Sequence, residues 1–383
     1  MAFRDVSVTL TQALTKDEKQ GNGIFFTPKD DRDVLFGILD SLHLSPKSIL
    51  EPSFGSGEFL EDLYEKYRGS KIVGVEKNEQ LFRSTERKNV HNVDFLDYKG
   101  KHDLIVGNPP YFVIPKTKDT LKCQKGRPNM FVQFLYKSIT ENLTPDGYLA
   151  FILPTSFFNA GYYEPMRRYI FENTTVLAVT PLTGKYIDTQ QATFVLVLQN
   201  GKRNDNFMLE MNGSMYMVSN KDRIVELLGG STTLKDIGFK VSTGEVVWNQ
   251  VKDSLVDTGG TLLIYSGNLR NGVLCLDGQS KGEKKQNIAG FTKEPLTGVS
   301  ILLNRGYGNA AYSMNPVIVN LEKYYAENHV NVIRPETVAA GRILGRVYDS
   351  IRDERTSEFI GLFVGNNALS KTEIESCLPI WIA

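Results

Sequence analysis

The sequence predicts an α/β fold, a doubly wound and mostly parallel sheet followed by a second, mixed α+β unit. Three observations predict it. Short apolar runs alternate with amphipathic stretches through the first half of the chain. A glycine-rich turn joins the first such run to the first such stretch. The rhythm then stops near residue 220, where Gly-Gly pairs at 229–230 and 259–260 and many Gly, Asn and Ser turns replace it. At roughly 150 residues per domain, the chain suggests two to three domains. The boundary falls within 219–235, and we divide the chain into residues 1–220 and 221–383.

The elements follow in order. Ser48-Ile49-Leu50 reads as a first strand, and Glu58 to Tyr67 as the helix after the glycine turn. Lys71 to Val75 is a second strand, followed by a polar segment from Asn78. His91-Asn92-Val93 is a third and Asp103 to Gly107 a fourth. Asn129 caps a helix that carries Phe131, Phe134, Leu135, Ile139 and Leu143 on one face. Pro145-Asp146-Gly147 is a turn, and Tyr148 to Leu153 a buried strand. Thr193 to Leu198 and Phe207 to Met217, around Asn200-Gly201, predict an antiparallel hairpin at the sheet edge. Far downstream, Ser370-Lys371-Thr372-Glu373 is a capping box, which predicts a helix over 371–377.

Composition excludes several classes. With 41% hydrophobic and 23% charged residues, the chain is neither disordered nor collagenous nor a coiled coil. Lys plus Arg and Asp plus Glu are 44 each, so no polycationic binding surface covers the molecule. Cys123, Cys275 and Cys377 are far apart with no CxxC or Cys/His spacing, so neither a metal site nor a disulfide framework is expected. No apolar leader and no membrane-length apolar run occurs, and a cytoplasmic protein is expected.

Glu51-Pro52-Ser53-Phe54-Gly55-Ser56-Gly57-Glu58-Phe59 has the order strand, glycine turn, helix start. Glycines there allow positive φ and close approach of a ligand to the backbone. A dinucleotide fingerprint would want glycine at position 60, which is Leu60, and a P-loop would want Gly-Lys, where Gly57 precedes Glu58. Phosphate is therefore not the indicated ligand. Glu76 ends the second strand and can accept from both hydroxyls of a ribose. Asp94-Phe95 ends the third, where the acid could take an adenine amino group and the ring could stack. Singly, a glycine turn or a strand-end acid is more often structural. The ordered set outlines a ligand crevice.

Asn108-Pro109-Pro110-Tyr111 closes the fourth strand. The prolines stiffen the loop, which presents two acceptors, the Asn108 side-chain oxygen and the Pro109 carbonyl. Two acceptors suit an NH2 group whose lone pair is otherwise delocalised, because accepting both protons aims that lone pair at an electrophile. Tyr111 offers a flat face to a planar substrate. A bare Pro-Pro turn with a core tyrosine would be the plainer reading. Its place after the glycine loop and two acids favours chemistry.

Phe26-Thr27-Pro28, the 51–59 loop, Glu76, Asp94-Phe95 and Asn108-Pro109-Pro110-Tyr111 together resemble the amino-group DNA methyltransferases. Their order resembles the gamma class, the TaqI-type adenine-N6 methylases of restriction–modification systems and large algal viruses. The likeness covers about residues 20–200, and Gly244 to Trp248 resembles the opening of that family's target-recognition domain. It implies S-adenosylmethionine as cofactor and a sheet of the S-adenosylmethionine-dependent methyltransferase type. It also implies a catalytic domain over 1–220 and a DNA-recognition domain over 221–383. By the same likeness, Thr27 touches the methionine end of the cofactor, with Glu51 and the backbone of Ser53, Phe54, Gly55 and Gly57 around it. Glu76 holds the ribose, Asp94 and Phe95 hold the adenine, and Asn108 and Pro110 border the cofactor. Asn108 and Pro109 bind the target amino group, while Tyr111 and Tyr186 stack on the flipped base. Phe194, inside an apolar strand, reads as core. Double-stranded DNA is the expected partner of a monomer, and a cognate restriction endonuclease would be a separate chain.

DNA contacts then rest on local charge. Lys116, Lys118, Lys122, Lys125 and Arg127 form one basic loop. Arg270, Lys281, Lys284, Lys285, Lys293 and Arg305 form a looser second set. Competing readings are a glutamine-N5 methyltransferase of release factors, an RNA adenine methylase and a non-catalytic DNA-binding relative. The segment trailing the catalytic motif favours DNA over the first, and the intact motifs count against the last.

Overall fold

The computed structural model describes residues 3–13, 15, 19, 21, 23–184, 186, 191–201, 206–276, 284–305, 314–363 and 369–382. The chain forms two compact units, Met1–Lys221 and Asp222–Ala383.

The first unit is built on seven strands: β1 (Ser48–Glu51), β2 (Lys71–Val75), β3 (Val90–His91), β4 (His102–Gly107), β5 (Leu143–Pro154), β6 (Thr174–Pro181) and β7 (Thr193–Asn200). Their spatial order is β3-β2-β1-β4-β5-β7-β6. The first five run parallel, and β7 is antiparallel to both its neighbours. This is the doubly wound sheet of the S-adenosylmethionine-dependent methyltransferase type. Among the described residues it is accompanied by the helices α1 (Asp5–Ala13), α2 (Lys29–Ser41), α3 (Glu58–Lys66), α4 (Glu79–Phe82), α5 (Met130–Lys137) and α6 (Glu164–Asn173).

Side chains alternate across the sheet and feed two cores. On β5, Leu149, Phe151 and Leu153 join Phe131, Phe134 and Leu135 of α5. Ala150 and Ile152 point the other way, among Leu35, Phe36 and Leu39 of α2 and Phe59, Leu60 and Leu63 of α3. Asn129 caps α5, its side chain accepting from the Phe131 N–H. The turn expected at 145–147 lies inside β5 as an irregularity, with Asp146 at φ 59°.

Two expectations need correction. β7 does not pair with 207–217 at an edge; it lies between β5 and β6, and β6 was not among the strands expected. The physical reason is visible in Phe194 to Leu198, buried on both faces, a run that suits a strand flanked on both sides. Residues 207–217 instead fold on themselves as β8 (Met208–Met211) and β9 (Ser214–Met217). Asn212 at φ 49° and Gly213 at φ 74° make the tight turn, an Asn-Gly pair of the kind hairpins favour. Arg167 of α6, itself buried, holds this hairpin by donating to the Met215 carbonyl at 2.6 Å and to those of Phe157 and Ala160 at 2.9 and 3.0 Å.

The second unit carries another seven-stranded sheet. Its order is 239–243, 330–335, 296–304, 317–326, 261–264, 287–288 and 255–256, with one parallel pairing, between 261–264 and 317–326. Helices Val338–Arg342, Leu344–Ile351, Glu354–Phe363 and Lys371–Ser376 make it α+β. The last begins at the expected capping box, with Ser370 and Glu373 each bonding the other's backbone N–H.

Gly244 lies where the chain crosses this sheet. Its N–H donates to Val330 at 2.8 Å, and a Cβ here would sit 2.5 Å from the Ala326 carbonyl oxygen and collide with that of Glu327. Both obstacles are backbone, so neither can rotate away. Gly244→Ala should lower stability by about 2 kcal/mol or more, read as a drop in the urea midpoint. An unchanged midpoint would contradict this register.

Candidate active site

The sheet changes its direction of winding between β1 and β4, and ligands of such sheets sit at the strands' carboxyl ends beside that switch. The glycine loop after β1 and Asn108-Pro109-Pro110-Tyr111 after β4 are thereby neighbours. Gly107 permits the approach, since a Cβ there would meet the Pro52 ring at 3.3 Å.

A cavity of about 330 Å³ opens at this place. Of the residues expected around a cofactor, Ser53, Gly55, Glu76, Asp94, Phe95, Asn108 and Pro110 line it. Gly55, at φ 55°, donates its N–H to Glu76 Oε2 at 2.9 Å, and the Asn78 N–H donates to Oε1 at 2.7 Å. The carboxylate is thus pinned by backbone, with lone pairs to spare for hydroxyls. Asp94 caps its own turn through the Leu96 N–H and pairs with Lys77 at 2.7 Å. Beside Gly23, Pro52, Lys77 and Asn78, the rest of the wall is apolar and was not assigned to the cofactor from the sequence: Ile24, Phe25, Phe26, Leu81, Phe112, Met130 and Phe134. Ile24 to Phe26 form an apolar run directly before Thr27-Pro28, a signal available in the sequence.

Asn108 is held from two sides. Its Nδ2 donates to Thr27 Oγ1 at 3.0 Å, and its Oδ1 accepts from the Tyr111 hydroxyl at 2.5 Å. That hydroxyl also lies 2.7 Å from the Ile152 carbonyl, and it has one proton to give. Oδ1 has a second lone pair, which leaves an acceptor for an incoming amino group. The Tyr186 hydroxyl is buried nearby without a well-formed hydrogen bond, among the polar groups of Asp31, Thr193 and Asn108. Burial raises the hydroxyls of both tyrosines, so neither is a general base.

Residues 52–186 match the family described as Eco57I restriction-modification methylase. A type II methyltransferase, M.CvrRI of Paramecium bursaria Chlorella virus XZ-6E, is 30% identical over 99% of this chain and 99% of its own. The modification methylase CviBIII of Paramecium bursaria Chlorella virus NC1A is likewise 30% identical over 99% of both chains. The chain belongs to the type II methyltransferases. Among solved structures, the type IIG restriction endonuclease BpuSI resembles it over 98% of this chain and 60% of that one, at 13% identity and TM-score 0.45.

Membership makes this protein a DNA methyltransferase and implies S-adenosylmethionine as its cofactor. The residues fit that group. Glu76 and Asp94 offer acceptors, and the remaining wall suits an adenine. Glu51, 1% exposed and outside the lining, adds a further buried acid next to Pro52 of the wall, and its Oε2 has no hydrogen-bond partner.

Several expected contacts fall elsewhere. Thr27 does not line the cavity; its hydroxyl accepts from Asn108 instead. Glu51 lies behind the wall. The Phe54 ring packs in the core beside Phe82, because the turn after β1 points it back under the sheet. Gly57, at φ 82°, starts α3, and its carbonyl faces Arg4. Phe95 lines the cavity as expected, and its ring, 1% exposed, packs on Phe134 with centroids 4.7 Å apart. Pro109 and Tyr111 border Asn108 but not the cavity. In the basic loop, Lys122 pairs with Asp119 and Lys125 with Glu164, each at 2.7 Å, leaving Lys116, Lys118 and Arg127. In the second unit, Lys285 pairs with Asp257 and Lys293 with Glu245, both at 3.3 Å. Lys284 lies over Trp248 and Tyr265, Arg270 donates to the Gly267 carbonyl, and the Arg305 N–H donates to His329. Lys281 and residues 187–190 lie outside the described residues. Among the described residues, no cluster of three or more metal-ligating side chains occurs, and no helix is long and apolar enough to cross a membrane.

Burial, and then the Glu76 and Asp62 charges, hold the Glu51 carboxyl well above its usual range. Unfolding returns it to the ordinary value, so the folded state loses stability as pH rises from that value through the raised one. Glu51→Gln removes this loss. The melting-temperature difference, variant minus wild type, should grow as pH rises, followed by differential scanning fluorimetry without cofactor. A pH-independent difference would refute it.

Proposed function

We propose that this protein methylates the N6 amino group of an adenine turned out of duplex DNA. The observation that carries the reading is the doubly anchored Asn108 amide, with an acceptor lone pair to spare at the rim of the cavity. Thr27 fixes which way the amide points, and Tyr111 reinforces it. Asn108 Oδ1 and the Pro109 carbonyl would each accept one amino proton, drawing the nitrogen toward tetrahedral geometry with its lone pair facing the cavity. Glu76 would hold the ribose and Asp94 the adenine amino group of S-adenosylmethionine. When bound, that cofactor supplies a methyl on a sulfonium, whose S–C bond breaks as the N–C bond forms. The proton shed by the methylated nitrogen passes to solvent. Catalysis of this kind rests on orientation and desolvation, and the raised tyrosines supply no base.

Tyr111 and Tyr186, gathered around Asn108, would flank the extruded base. The second unit would read the target sequence, with Lys284 and Arg270 among its DNA contacts, and Lys116, Lys118 and Arg127 would meet phosphate.

Asn108→Ala should slow single-turnover transfer of tritiated methyl to DNA at least about a hundredfold. Transfer at the wild-type rate would remove Asn108 from the mechanism. In the same preparations, 2-aminopurine at the target position should brighten on binding, and constant fluorescence would exclude extrusion.

Replacing Lys116, Lys118 and Arg127 together by alanine should reduce the slope of log affinity against log salt by roughly one for each phosphate no longer neutralised. A parallel slope would place DNA elsewhere.

A further inference from the structure

Asp31 is a buried acid that the reaction does not use. It lies in the first turn of α2, is 2% exposed, and accepts the Gly184 N–H on Oδ1 at 2.9 Å across 153 residues of sequence. The fit is close: a Cβ on Gly184 would lie 2.5 Å from Oδ2 and collide with Oδ1 and the carboxyl carbon. Only glycine lets the backbone lie against the acid. Two residues on is Tyr186. Its hydroxyl and Asp31 Oδ2 are both buried without a well-formed hydrogen bond, and each is a polar neighbour of the other.

The same short segment also holds Asn108. Thr27 Oγ1 receives the Asn108 amide, and the Thr27 carbonyl accepts from Arg32 at 2.6 Å. Arg32 is in turn fixed by Glu58 at 2.9 Å and Asp62 at 2.6 Å. Thus one helix start grips the strand-end motif through Thr27 and the β6–β7 connection through Asp31. Burying a carboxylate with only the Gly184 N–H and the neighbouring Tyr186 hydroxyl to face it is costly, and desolvation does raise its carboxyl above the usual range. Positioning is a role that would offset the cost.

We propose that Asp31 is the positioning residue that fixes Tyr186 beside Asn108, acting through the backbone of Gly184. It does not line the cofactor cavity. The functional half of the inference rests on the reading that Tyr186 flanks the target base, whereas the structural half does not.

The test uses the full chain and separates the two. In Asp31→Ala, hydrogen exchange in the segment between β6 and β7 should accelerate. Single-turnover methyl transfer should slow about tenfold, while S-adenosylmethionine affinity by calorimetry stays within about twofold. Asp31→Asn keeps an acceptor for the Gly184 N–H and should recover to within about threefold of wild type. Gly184→Ala, which drives a methyl into the carboxylate, should reproduce the Asp31→Ala loss, and it carries the test if Asp31→Ala does not fold. Added to Tyr186→Ala, Asp31→Ala should cause no further slowing. Unchanged exchange in either the Asp31→Ala or the Gly184→Ala variant overturns the inference. So do losses that multiply in the double variant. Faster exchange in Asp31→Ala together with a wild-type rate in Tyr186→Ala would defeat the base-flanking reading and leave the hold on Gly184 standing.

Discussion

The parallel pairing of β1 with β4 is the contact on which the site depends. Ile49 aligns with Leu104 and Leu50 with Ile105, and beyond those pairs the two chains leave the sheet side by side. Because β2 and β3 continue outward from β1 and β5 from β4, each loop turns away over a different flank, and a gap remains between them. Slipping that register by one residue would turn the apolar side chains of β4 to the opposite core. It would also part the glycine loop from Asn108. Packing on both faces and placement of the chemistry therefore impose the same alignment.

Charge at the site is handled by burial and pairing within the unit. Arg32, Glu58 and Asp62 form a partly buried group behind the cavity, whereas Glu51, Glu76 and Asp31 carry carboxyls raised by desolvation. Charged groups of 24 in either sign in residues 1–200 thus cancel in number without cancelling in place. Acids concentrate where a cationic cofactor would rest. The remaining cations of the basic loop, Lys116, Lys118 and Arg127, follow the strand-end motif.

Much of this was legible in the sequence because strand ends announce themselves. A loop that must turn tightly needs glycine, and one that must stay rigid takes proline, so Gly55 and Asn108 to Tyr111 stand out without knowledge of their neighbours. Contacts made across the chain leave no such local mark. Thr27 was assigned to the cofactor by resemblance alone, and a Thr-Pro pair says nothing of the amide 81 residues away that it receives. The apolar side of the cavity, with Ile24, Leu81, Phe112 and Met130, went unseen for a related reason, since its residues come from segments far apart in the chain. The hairpin at 208–217 was read as one strand because Asn200-Gly201 and Asn212-Gly213 are equally good turns, and only pairing partners tell which one folds a strand back on itself. Asp31 was invisible: an acid in a helix's first turn is ordinary, and only tertiary structure shows what it grips.

The cavity wall supplied by Gly23 to Phe26 has a further consequence. Gly23 packs so tightly on the motif that a Cβ would lie 2.8 Å from the Tyr111 nitrogen, and upstream of it Arg4 and Ser7 bond the Ser56–Glu58 stretch. The sheet starts at Ser48, but the chemistry starts well before it. A fragment trimmed to the first strand would retain every strand, but it would lose Leu35, Phe36 and Leu39 from one of the two cores and would present an open trough where the whole unit has a pocket. The segment ahead of the sheet therefore closes the pocket and covers one face of the sheet, so the same stretch of chain serves the chemistry and the packing.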